Sequence, residues 1–205
     1  MMKKRLNIEN PFFEFMGRLG DLALVNILFL ICSLPVVTIG ASLAAMYECF
    51  RRMREGEFVS AFRDFMGVFR ESFKKATPIW LLMLATGAVL VFDLTFLGQA
   101  GTRGIWGIVG MVTGALMLLW EMVFAFLFPV VIWEEGSLKE KLVRSLYLAV
   151  RNLPYTLLMV AMNIILPVCI VLGDYFMGLV TPIYVVAGFG LIAFADVVLL
   201  ERCKE

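Results

Sequence analysis

Four long apolar runs dominate the chain, at 79 to 97, 105 to 133, 154 to 172 and 178 to 200, and none holds more than one charged residue. An α-helix needs about 20 apolar residues to cross the hydrocarbon core of a bilayer, so each run predicts a transmembrane helix. The runs pair into two hairpins. The first turns at Gly98-Gln99-Ala100-Gly101-Thr102-Arg103-Gly104 and the second at Gly173-Asp174-Tyr175-Phe176-Met177-Gly178, short glycine-bearing connections that make antiparallel neighbours. A further apolar region, 21 to 50, is interrupted at Leu34-Pro35-Val36-Val37-Thr38-Ile39-Gly40, where proline removes a backbone hydrogen bond and glycine loosens the chain. It reads either as one kinked crossing or as two short, partly re-entrant helices.

An amphipathic stretch precedes each clear hairpin. In 58 to 75, Phe58, Phe62, Phe65, Phe69 and Phe73 recur at helical spacing, with Arg63, Asp64, Arg70, Glu71, Lys74 and Lys75 opposite. In 137 to 153, Leu138, Leu142, Leu146, Ala149 and Leu153 repeat the stripe opposite Lys139, Glu140, Lys141, Arg144 and Arg151. Both stretches are expected to lie as surface helices in the headgroup boundary, or to dock a partner. Aligning Pro78 with Pro154 superposes Lys75 on Arg151 and Phe62 on Leu138, which suggests an internal hairpin repeat. The segment 11 to 19 looks like a third, shorter copy of its opening element.

Charge sets the orientation. The connection 48 to 78 holds seven basic residues, 134 to 153 holds four, and 201 to 205 holds two, against Arg103 alone in the two hairpin turns. By the positive-inside rule the connections and the C-terminus are cytoplasmic. Four more basic residues in 1 to 20 favour a cytoplasmic N-terminus, hence six crossings and two short helices over 21 to 50; a single kinked span gives five. The predicted fold is an all-α polytopic transmembrane bundle forming one membrane domain over 1 to 205. Its parts are an interfacial segment 1 to 20, the broken element 21 to 50, a basic connection 51 to 78, a hairpin 79 to 133, a connection 134 to 153, a hairpin 154 to 200 and a tail.

Composition agrees: 61% of the 205 residues are apolar, the mean hydropathy is +0.91 and only 17% are charged. A water-soluble domain of this size cannot hide that much apolar surface. No exposed basic domain is left to bind nucleic acid, and no cleavable signal peptide is expected. Cys32, Cys49, Cys169 and Cys203 are scattered, which speaks against a disulfide framework or a zinc site. The absence of histidine removes His-based nucleophile systems and His-ligated metals. No catalytic motif, cofactor site or metal site is predicted.

The polar residues inside the apolar runs are the candidates for function, because a carboxylate in hydrocarbon needs a reason. Glu121 is nearest mid-membrane, and Asp93 lies near the outer end of the preceding helix. Asn163 and Asn26 complete the candidate intramembrane polar site, although asparagines of this kind more often join helices. Asp196 is expected to reach the inner interface. Glycines at 104, 107, 110 and 114 offer a small-residue face for close helix contact. For docking, the candidates are Phe58, Phe62, Phe65, Phe69, Phe73, Arg63 and Arg70.

Four motifs carry a family resemblance: Asn10-Pro11-Phe12-Phe13-Glu14-Phe15-Met16-Gly17-Arg18-Leu19-Gly20-Asp21, Ser33-Leu34-Pro35-Val36-Val37-Thr38-Ile39-Gly40-Ala41-Ser42, Arg54-Glu55-Gly56-Glu57, and Phe62-Arg63-Asp64-Phe65 leading to Phe69 and Phe73. The chain resembles the YesL family of small integral membrane proteins of Gram-positive bacteria. The resemblance spans about residues 7 to 80 and rests beyond that on hydropathy and plan. Such proteins often occur beside carbohydrate ABC uptake genes, so it implies an accessory role in sugar uptake at the plasma membrane and supplies no catalytic residues. A non-enzymatic accessory component with membrane lipid and sugar ABC transporter components as partners is therefore the first expectation. A small transporter or channel around Glu121 is the second, and an intramembrane enzyme acting on lipid is the third.

Overall fold

The computed structural model describes residues 11–57, 60–100, 104–172 and 188–202. These residues form helices, with no strand among them. In order they are α1 (Pro11–Cys32), a 3-10 turn (Val36–Thr38), α2 (Ile39–Glu55), α3 (Ala61–Ala100), α4 (Ile105–Trp133), α5 (Leu138–Arg151), α6 (Leu153–Leu172) and α7 (Phe189–Arg202).

The interruption at Pro35 does split 21 to 50 into two helices. Its backbone groups are not left bare: the Thr38 hydroxyl donates to the carbonyls of Cys32 and Pro35, and the Trp80 indole N–H donates to Val36 O at 2.7 Å. The first helix, however, starts at Pro11 and runs unbroken past residue 20. The segment 11 to 20 is thus the opening of α1, continuous with the apolar part of that helix.

Helix α2 is the centre of the packing, touching α1, α3, α4 and α7. Ala41, Ala44, Ala45, Cys49 and Phe50 are all fully buried, since a run of small residues lets neighbouring backbones come close. The closest approach is at Gly40. A β-carbon there would lie 2.4 Å from Trp80 Cβ and 2.9 Å from Ala76 O. Helix α2 ends at Gly56, whose φ of 77° places it in the left-handed region that glycine adopts without strain.

Helix α3 corrects the expectation of a separate surface helix before Pro78. It is one helix of 40 residues with Pro78 inside it, about 60 Å long at 1.5 Å per residue. That is twice the ~30 Å of a hydrocarbon core, so the basic stretch prolongs the apolar half end to end. Pro154, its supposed counterpart, sits instead in the first turn of α6, where a missing N–H removes no intrahelical bond. There the chain breaks at Asn152, and the buried Thr156 hydroxyl ties the ends together through Ala149 O at 2.8 Å and Asn152 O at 3.0 Å.

Helices α3 and α4 form an antiparallel hairpin, and each is long and apolar enough to cross a membrane. An aromatic ladder of Trp80, Trp120, Phe124 and Phe128 fills their contact. Outside it, Val89, Phe92, Phe96, Ile105, Ile108 and Met111 lie exposed, a wide apolar surface of the kind that lipid covers. The glycine face of α4 is open: nothing lies within 4 Å of a β-carbon built on Gly104, Gly110 or Gly114.

Helix α5 also departs from its predicted stripe. It starts in a capping box of Ser137 and Glu140, and the face it buries is Lys141, Ser145, Leu148 and Ala149. Leu138 and Leu146 are exposed together with Val143, Tyr147 and Val150. Lys141 is turned inward on this face. Its ammonium donates to Val131 O at 3.0 Å, one of the carbonyls that the end of α4 leaves without an intrahelical partner.

Candidate functional site

Polar residues of four helices meet, two of them buried, Glu121 half-buried and Asn163 exposed. Tyr47 comes from α2, Glu121 from α4, Asn163 from α6 and Asp196 from α7. Asp196 is fully buried; its Oδ2 accepts from the Tyr47 hydroxyl at 3.3 Å and from Asn163 Nδ2 at 3.1 Å. Asn163 is held in turn by donating to Met159 O at 2.9 Å. The other carboxyl oxygen, Oδ1, is buried with no hydrogen-bond partner among the described residues. Asp196 therefore does not reach the interface as expected, because Tyr47 and Asn163 give it a reason to stay inside.

Beside this group Tyr47, Glu121 and Asn163 line a cavity of about 200 Å³ with Phe124, Ala125 and Val160. Glu121 is half-buried and makes no hydrogen bond among the described residues. It also borders an apolar groove formed by Trp80, Gly87, Trp120 and their neighbours, so its carboxyl stands between the interior and the outer face of the hairpin. Two of the four predicted site residues thus share one cavity. The other two do not: Asp93 is exposed on α3, and Asn26 is buried against Gly190 of α7.

A second polar group lies at the C-terminal end of α4. Glu48, almost fully buried, accepts from Arg51 Nε and Nη2 at 2.9 and 2.7 Å, from Arg52 Nε at 2.9 Å and from Trp133 Nε1 at 2.9 Å. Arg51 continues to Glu55 at 2.6 Å and Arg52 to Asp64 at 3.6 Å. Bidentate guanidinium contacts of this kind are among the stronger hydrogen bonds a protein makes. Nearby, burial pushes the Lys141 ammonium below its ordinary pKa and Lys75 adds to the effect, while Glu135 and Glu134 oppose it.

Residues 22–94 match a family model described as a protein of unknown function, DUF624. No curated protein and no solved structure matches the chain. The DUF624 match runs from within α1 to near the end of α3. It takes in Tyr47, Glu48, Arg51, Arg52, Glu55 and Asp64 but not Glu121, Trp133, Asn163 or Asp196.

The predicted docking stripe is divided by the structure. Phe62 is 66% exposed, whereas Phe65 is fully buried in the core. Phe69 is partly buried, stacked on Phe65 and edge-on to Phe73, and Phe73 is partly exposed. Arg63 and Arg70 are exposed, and Phe58 lies outside the described residues. Tyr47, Glu48, Trp133 and Asp196 were not among the predicted site residues. Glu48 carried a usable signal, an acid three and four residues before a pair of arginines at the close of an apolar run; Tyr47 carried none.

Proposed function

We propose that the chain is a multi-pass membrane protein acting as a non-enzymatic accessory or regulatory component of carbohydrate (ABC-type) uptake, with its basic end and C-terminus on the cytoplasmic side. The observation that carries the docking part is α3. Its first 15 residues continue the apolar half as one helix, and Phe62, Arg63 and Arg70 stand exposed on that extension. A rigid helix that outlasts the bilayer is suited to present side chains to a partner. The carbohydrate assignment rests on the YesL resemblance over residues 7 to 80. The orientation and the five or six crossings rest on the distribution of basic residues.

The test is a photo-crosslinking residue placed at Phe62 in native membranes. Recovery of a permease or its ATPase subunit supports the proposal. Recovery of lipid alone, with sugar substrate present, would remove it.

A second reading, a small transporter or channel, is favoured by the cavity shared by Tyr47, Glu121 and Asn163. Under that reading Glu121→Gln abolishes solute or proton flux in proteoliposomes. Flux equal to that of the unsubstituted chain would sink the reading.

A further inference from the structure

A cavity of about 490 Å³ opens where α2, α3 and the end of α4 meet. Its walls carry Glu48, Arg51, Arg52 and Glu55 from α2, Glu71, Ser72 and Lys75 from α3, and Trp133 from α4. The volume lies within the ~300–1,000 Å³ typical of small-molecule sites.

The charges in the walls fall into two sets. Glu48, Arg51, Arg52 and Glu55 are bound to one another, and this network forms a fixed floor. Glu71, Ser72 and Lys75, along one face of α3, have no hydrogen bond or ion pair among the described residues. Taken together, three cations and three anions line the space. A simple anion would meet three carboxylates there, and a simple cation would meet three basic groups. A ligand bearing both charges matches the lining, with its anionic end at Lys75 and Ser72 and its cationic end at Glu71.

The depth points to the source of that ligand. In α3 the stretch without charge begins at Ala76, directly after Lys75, and runs to Phe92; α4 ends at Trp133. The cavity therefore lies level with the start of both apolar spans, where tryptophan is enriched and lipid headgroups reside. We propose that it binds the phosphoethanolamine headgroup of a zwitterionic phospholipid, with phosphate on Lys75 and Ser72 and ammonium on Glu71. This rests on the reading that the chain sits in a membrane. The ethanolamine ammonium keeps N–H donors for Glu71, which a choline group lacks.

The experiment is native mass spectrometry of the full-length chain reconstituted with equal phosphatidylethanolamine, phosphatidylglycerol and phosphatidylcholine, counting lipid retained after detergent exchange. Phosphatidylethanolamine should be retained about tenfold over the other two, and Lys75→Gln and Glu71→Gln should each lower that retention about tenfold, the loss of one charge-assisted contact. Lys139→Gln, on exposed α5 surface, should leave it unchanged. Equal retention of the three lipids, or no response to both substitutions at α3, overturns the proposal. So does binding of soluble phosphoethanolamine as tight as that of the lipid, since depth then contributes nothing. Alkaline washing of membranes separates membrane residence from headgroup selection: a chain that stays with the membrane and selects no headgroup refutes this site alone, whereas a chain washed into the supernatant refutes both.

Discussion

Trp133 donates its indole N–H to Glu48 Oε2 at 2.9 Å, so the carboxylate that gathers Arg51 and Arg52 on α2 also fastens the last residue of α4. One side chain thereby sets how two helices far apart in sequence meet.

Removing that carboxylate should loosen the junction. Arg51 keeps Glu55 and Arg52 keeps Asp64 after the change, and both guanidiniums are about a third exposed. The cost of Glu48→Ala should thus fall below the ~3–5 kcal/mol of a fully buried broken pair, at about 1–3 kcal/mol. Trp133→Phe should cost about 1 kcal/mol, one hydrogen bond. Thermal unfolding in detergent reads both, and additive losses in the double variant would show that the two residues are not coupled.

Two glycines should respond in opposite ways to alanine. At Gly40 the new methyl group collides with Trp80 Cβ and Ala76 O, so Gly40→Ala should cost about 1–3 kcal/mol by overpacking. At Gly110 it meets open space, and alanine's better helix propensity should add up to about 1 kcal/mol of stability. Equal melting temperatures for the two variants would contradict the close α2–α3 approach.

The phenylalanine stripe offers a similar contrast. Phe65→Ala empties a fully buried position and should cost about 3–5 kcal/mol. Phe62→Ala should leave the unfolding free energy within about 0.5 kcal/mol of the unsubstituted chain while lowering partner capture. Loss of folding in Phe62→Ala would place that ring in the core after all.

Lys141→Met keeps the length and apolar stem of the side chain but takes away the donor to Val131 O. An unsatisfied buried carbonyl costs about 1–3 kcal/mol, so the unfolding free energy should drop by that amount. Lys139→Met, two residues away on the opposite, exposed face, is the comparison. An equal effect from both would show that charge on α5, and not this hydrogen bond, is what matters.

The sequence by itself determined the features that depend on local composition. The apolar runs of α3 and α4 announce themselves through mean hydropathy, and Pro35 breaks the N-terminal element because its missing N–H acts within one turn. Glu121 and Asn163 were visible for the same reason, each a polar residue in an apolar run. Only the tertiary structure decided which polar groups meet. Tyr47 and Asp196 are 149 residues apart, and no local pattern encodes their contact; Asp196 looked like an interface residue because its neighbours on the far side were unknown. The face buried by α5 and the division between Phe62 and Phe65 have the same origin. Periodicity gives a stripe, but the helices packed against it choose which part of the stripe is covered. Pro78 marks the same limit, since a proline written into a helical pattern permits either a break or a continuous helix, and here α2, seated through Gly40 on Ala76 and Trp80, packs against that turn.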